Sequence, residues 1–194
     1  MQESTAQSLT TAQAPISFND VLAETQRPLF AFVASLVSDH ELARDIVQDV
    51  FCDAWRAMQR GAPPFDAADD LPAMRRWLFH ASYCDAASAL RRGALIRWEP
   101  LDADDDAREP IRSAPGRPFE DTVAERLALD AALATLRPED AACLLLSALQ
   151  GFTAQEIGQI IDASTEATKK RLARAKRRVR DAYIALNRDE ESRP

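Results

Sequence analysis

The sequence predicts an all-α protein of two small helical domains joined by a flexible acidic linker, the C-terminal one carrying a helix-turn-helix. The 194 residues contain only five glycines and are weighted towards Ala, Leu, Arg and Asp. Apolar residues recur at helical intervals along most of the chain, while no stretch shows the alternation of β-branched residues that marks a strand. Between Gly93 and Phe119 this periodicity stops, and Pro100, Pro110, Pro115 and Pro118 accompany six acidic residues between Glu99 and Glu109. Such composition reads as a linker between helical units.

Met1 to Ile16 is polar and rich in Ser, Thr and Gln, without the basic start and apolar centre of a signal peptide, and is expected to be a disordered leader. A first domain spans 17–92. Val21, Leu22, Leu29, Phe30, Phe32, Val33, Leu36 and Val37 lie at helical spacing, and Pro28 is expected to divide them between a short helix ending near Gln26 and a second from Pro28 onward. Ser38 and Glu41 have capping-box spacing for the next helix. That helix places Leu42, Ile46, Val47, Val50, Phe51, Ala54, Trp55 and Met58 on one face and Asp45, Gln48, Asp49, Cys52, Asp53 and Arg56 on the other. Leu71-Pro72 opens another, with proline in the first turn. Here Met74, Trp77, Leu78, Ala81 and Leu90 suit packing, leaving Arg75, Arg76, His80, Tyr83, Arg91 and Arg92 to face outward. Basic residues interleaved with aromatics suit partly unstacked nucleic acid.

The second domain spans 120–187, followed by a tail over 188–194. Val123, Leu127, Ala131, Leu133 and Leu136 mark one helix, and Pro138 leads another carrying Cys143, Leu144, Leu145 and Leu149, stopped by Gly151. Thr153 and Glu156 form a capping box for a short helix with Ile157, Ile160 and Ile161 at helical spacing. Asp162-Ala-Ser164 breaks it, with Asp162 where such turns often have glycine and Ser164 as the next N-cap. The last helix carries Lys169, Lys170, Arg171, Arg174, Lys176, Arg177, Arg178 and Arg180, with Ala167, Leu172, Ala175 and Val179 able to face inward. A basic helix held by a shorter capped partner fits the DNA major groove.

The net charge of −7 does not exclude nucleic acid, because the acidic residues of the linker and the eight cations of the last helix are far apart in sequence. At a Debye length of about 8 Å, the local field steers binding. Cys52, Cys84 and Cys143 are widely spaced and read as free thiols. His80 and Cys84 lie four residues apart, but no Cys-x-x-Cys or second nearby His completes a metal site, and none is expected. No nucleophile beside a base, phosphate loop or cofactor motif points to catalysis. No apolar run is long enough to span a bilayer, so the chain is expected to be cytoplasmic, without stable membrane insertion.

Asp45-Ile-Val-Gln48-Asp49-Val-Phe51, followed by Ala54-Trp55-Arg56, resembles the polymerase-binding segment of bacterial sigma factors. Trp77-Leu78-Phe79 with Leu90-Arg91-Arg92 resembles the helix after the promoter-reading loop. Leu136-Arg-Pro138, the run Leu144 to Leu146, Gly151-Phe152 and Glu156-Ile157-Gly158 resemble the C-terminal sigma domain. Their order and spacing are similar to those of the extracytoplasmic-function sigma factors. This resemblance implies a dissociable subunit of RNA polymerase with no enzymatic activity of its own, whose partners are core RNA polymerase, promoter DNA and an anti-sigma factor. It implies that Asp45, Gln48, Asp49 and Arg56 bind core polymerase. Phe65, in the promoter-reading loop, would join Arg75, Arg76, His80, Tyr83, Arg91 and Arg92 on minus-ten DNA. Ser164, Thr165, Glu166, Lys169 and Lys170 would read the minus-thirty-five element, with Arg171, Arg174, Lys176 and Arg178 on phosphates. Parts of the sequence also fit a helix-turn-helix regulator that acts without polymerase, or a helical module that occupies polymerase without starting transcription.

Overall fold

The computed structural model describes residues 17–60, 71–96 and 131–191, and these are helical apart from short connections. The leader, the loop containing Phe65, and most of the linker lie outside the described residues. The helices are α1 (Phe18–Val37), α2 (His40–Gln59), α3 (Leu71–Ile96), α4 (Pro138–Ala148), α5 (Ala154–Ile160) and α6 (Thr165–Glu191), with residues 131–134 closing a helical segment before α4. Helices α1 to α3 pack on one another, as do α4 to α6, and the two groups share one buried core.

Pro28 does not divide the first helix: α1 passes through it unbroken. Val21, Leu29, Phe32 and Val33 lie on both sides of the proline and are fully buried. Burying such side chains contributes about 1.5–3 kcal/mol each, which together exceeds the cost of about 3 kcal/mol for an interior proline. The expected Ser38 capping box is also displaced by one residue. Ser38 closes α1 in the left-handed conformation, at φ 55°, and Asp39 caps α2 by accepting from the Leu42 N–H at 3.0 Å. Glu41 instead pairs with Arg44 along the outer surface.

The core of the first domain joins the α1 residues to Ala43, Ile46, Val47, Val50, Phe51 and Ala54 of α2 and to Met74, Leu78 and Phe79 of α3. Trp55, expected inside, is 46% exposed. Ala54 and Ala57 take the inward positions beside it, and its indole rests on Phe18 with ring centroids 5.1 Å apart. Leu149, also expected inside, is 59% exposed because α4 ends one residue before it.

The helix-turn-helix forms as its caps predict. Thr153 receives the Glu156 N–H, and the Glu156 carboxylate accepts from the Thr153 backbone N–H at 2.9 Å. Ser164 Oγ accepts from the Ala167 N–H at 3.2 Å. Ile157, Ile160 and Ile161 are buried with Leu146, Phe152, Thr168 and Ala175. Asp162 holds the turn at φ 54°, and the Ala163 N–H donates to the Gly158 carbonyl at 2.8 Å. This closeness decides the residue at 158, since a Cβ there would lie 2.6 Å from the Ala163 backbone oxygen. Glycine to alanine ordinarily stabilises a helix interior by about 1 kcal/mol. Here Gly158→Ala is expected to lower the melting temperature instead, and a thermal melt followed by circular dichroism checks the sign.

The two groups of helices meet where α3 packs on α5 and α1 on α4. Phe79 is fully buried between Phe32 of its own domain, at 5.4 Å, and Phe152 of the other, at 5.3 Å between ring centroids. One aromatic row therefore runs through the shared core from Phe32 to Phe152.

Candidate functional site

Helix α2 presents two adjoining surfaces to solvent. A cavity of about 370 Å³ is lined by Asp45, Asp49, Asp53 and Asp85 together with Arg56 and Arg92. Partial burial, and then the charges of Asp49 and Asp53, push the Asp85 carboxyl above its usual range against the pull of Arg92. Arg56 pairs with Asp53 at 3.0 Å. The excess of carboxylates gives a local field that attracts a cationic partner. One helical stripe away, a largely apolar groove of about 680 Å³ runs between α1 and α2, lined by Phe18, Leu22, Phe30, Phe51 and Trp55. Gln48 also lines this groove, beside the acidic surface. An exposed tryptophan beside a charged patch suits a protein partner, because such side chains dominate interface energies.

Arg75, Arg76, His80 and Tyr83 do not face outward as expected. They lie half-buried on the side of α3 that meets the second domain. Arg75 donates to the Gln150 carbonyl at 2.8 Å and lies 4.4 Å from the centre of the Phe152 ring. Arg76 pairs with Glu156 at 3.7 Å. The carboxyl of Glu156 is held below its usual range first by the Thr153 N–H and hydroxyl and then by Arg76. His80 Nδ1 lies 2.8 Å from the Ile160 carbonyl. A carbonyl only accepts, so Nδ1 carries the proton. The Tyr83 phenol is pushed up by burial and by Glu139 of α4. Arg91 and Arg92 remain exposed at the other end of α3, where Arg91 donates to Ser88 at 2.9 Å. Phe65 lies outside the described residues.

On α6, Ser164, Thr165, Glu166, Lys169 and Lys170 are exposed around the first turns, with Lys170 3.8 Å from Glu166. Lys176, Arg177, Arg178 and Arg180 continue the exposed cationic face. Arg174, expected on phosphate, is committed elsewhere. Its Nε and one terminal nitrogen donate to the two carboxylate oxygens of Asp140 at 2.9 and 2.8 Å. Asp140 is buried at the start of α4, so this fork pins the basic helix to the rest of its domain. Arg171 is half-buried, and its charge acts on the Cys143 thiol of α4. Burial also pushes the Cys143 thiol to about 11, leaving it unreactive at neutral pH, and raises Cys84 together with the nearby carboxylates of Asp162 and Asp85.

Residues 126–179 match the family described as Sigma-70, region 4. This segment contains the short capped helix, the turn and most of the basic helix. The match is thus to one segment of the chain, the one that holds the helix-turn-helix. Similarity extends beyond that segment: 176 residues, 90% of the chain, are 24% identical to the ECF RNA polymerase sigma factor SigE of Mycolicibacterium smegmatis. The chain spans 64% of the length of that relative. The fold is similar to that of the sigma factor RpoE solved with the anti-sigma factor NepR from Bartonella quintana. In that comparison the TM-score is 0.66 and the identity 24%, over 85% of this chain and 95% of that one. It is also similar to CnrH, solved with the cytosolic domain of CnrY, with a TM-score of 0.60 and 19% identity over 87% of this chain and 88% of that one. No described helix is long and apolar enough to cross a membrane.

Proposed function

We propose that the chain is an extracytoplasmic-function sigma factor that binds core RNA polymerase and directs promoter-specific initiation. The region 4 match, falling on a helix-turn-helix with an exposed cationic recognition face, carries this reading. Ser164, Thr165, Glu166, Lys169 and Lys170 address base edges of a minus-thirty-five element, while Lys176, Arg177 and Arg178 hold phosphates, with Arg171 at the edge of that surface. Arg174 supports the helix from behind. The outer face of α2 docks on polymerase through Asp45, Gln48 and Asp49, with Arg56 at the margin and Trp55 as an apolar anchor.

Residues 17–92 act as the region 2-like unit, 93–119 as the linker and 120–187 as region 4. Arg75, Arg76, His80 and Tyr83 belong to the minus-ten surface together with Phe65, Arg91 and Arg92. The contacts that occupy Arg75, Arg76 and His80 make the present arrangement a closed one, so engagement of a separated strand requires α3 to part from α5 and the segment before it. An anti-sigma factor suits such a protein, in line with the anti-sigma factor NepR bound to the structurally similar RpoE. The proposed activity is cytoplasmic, needs no cofactor and involves no bond-making by the chain itself. Mixing the purified protein with core RNA polymerase tests the reading: co-elution on gel filtration is expected, and separate elution at micromolar concentration would refute it.

A further inference from the structure

We propose that His80, Cys84 and Asp162 form a binding site for a Zn²⁺-class divalent cation that bridges the two domains. His80 and Cys84 lie one turn apart on α3, while Asp162 stands in the turn of the helix-turn-helix. One ligand atom from each lies within 4.8 Å of the other two. His80 Nε2 and Cys84 Sγ are 3.8 Å apart. A tetrahedral zinc with ordinary Zn–N and Zn–S bonds would hold such a pair at about 3.6 Å, so only a small inward movement is needed.

The imidazole is prepared for this role by a contact outside the cluster. Because Nδ1–H donates to the Ile160 carbonyl at 2.8 Å, the lone pair of the neutral ring is on Nε2, the atom facing Cys84. Ligating histidines are commonly oriented in this way by a backbone carbonyl on the second nitrogen. That carbonyl belongs to α5, so the orienting group and the third ligand both come from the second domain. Asp162 adopts φ 54°, where glycine would be the unstrained residue. An aspartate there places a carboxylate beside the thiol and imidazole. The resulting nitrogen, sulfur and oxygen donor set suits zinc, with water completing a tetrahedron on the exposed side. Binding releases the thiol proton to solvent and leaves a thiolate on the metal.

A cation bound here links α3 to the helix-turn-helix and favours the arrangement in which Arg75 and Arg76 are covered. Its consequence for promoter use rests on the function proposed above, whereas the binding itself does not. The experiment therefore reads the metal directly. Co²⁺ is added to the full, reduced, metal-stripped protein, and Zn²⁺ is then used to displace it. One equivalent of Co²⁺ is expected to give a thiolate charge-transfer band in the near ultraviolet and the visible bands of a tetrahedral ion, all abolished by Zn²⁺. Cys84→Ser removes the charge-transfer band, whereas Cys52→Ser keeps it. Asp162→Gly removes the carboxylate while suiting the left-handed turn, so its fold should persist, and its affinity should fall by roughly tenfold or more. Absence of a thiolate band in the unsubstituted protein overturns the site. An affinity unchanged by Asp162→Gly overturns its bridging character, because the metal would then be held by α3 alone.

Discussion

Replacing Arg174 by alanine lowers the melting temperature more than replacing any of the exposed cations of α6, by roughly 5 °C. Its partner explains the difference. Asp140 is 1% exposed and its two oxygens receive the guanidinium fork, so truncating Arg174 leaves a buried carboxylate without its countercharge. The reverse substitution, Asp140→Ala, costs less, because the arginine left behind is 42% exposed and can be solvated. Arg174→Lys recovers only part of the loss, since an ammonium cannot reproduce two parallel hydrogen bonds. Thermal melts of the three variants and of the double alanine variant check this order. The same pair separates support from DNA contact. Lys176→Ala or Arg178→Ala should each reduce the slope of promoter affinity against salt by about one released counterion. Arg174→Ala should weaken binding without that change in slope.

Substituting Asp45, Gln48 and Asp49 together by alanine reduces affinity for core RNA polymerase by about 100-fold. All three side chains are exposed, and none has a role in the core of the first domain, so the variant should melt at close to the unsubstituted temperature. Asp49 is one of the two carboxylates whose charge, after burial, raises the Asp85 carboxyl, so removing it relieves a repulsion rather than adding a folding cost. Gel-filtration or surface-binding measurements against core enzyme provide the affinity. Trp55→Ala should weaken docking independently of salt, whereas the contribution of the two aspartates should fade as salt rises. A triple variant that binds core enzyme with unchanged affinity would move the docking surface away from α2.

What could be read in advance follows the range of the interactions concerned. The helix-turn-helix was legible because its two caps act over three residues and its isoleucines repeat within two turns. The outer face of α2 was legible because most of its apolar stripe, Trp55 apart, is buried and the opposite stripe is charged. Helix α3 was not, because it packs on two bodies at once. Its first-domain contacts give a recognisable stripe in Met74 and Leu78, but Arg75, Arg76, His80 and Tyr83 find their surroundings across the linker. Periodicity carries no information about a contact 75 or 80 residues away. The Arg174–Asp140 fork was hidden for the same reason. Arginine in a basic run looks solvated until its partner, 34 residues earlier, is found to be buried. Asp162 was visible as an unusual turn residue, but only the fold places it beside His80 and Cys84. Pro28 misled differently: the local rule is sound, and burial of the residues on either side outweighs it.

Run-off transcription with purified core RNA polymerase, with and without the protein, on fragments of the genome that encodes it tests the central claim most directly. New transcripts with defined starts are predicted, and their upstream sequences should share two short elements separated by a fixed spacing. Transcripts that are absent even when the protein is bound to core enzyme would contradict the proposal and identify the chain as a polymerase-binding module that does not initiate.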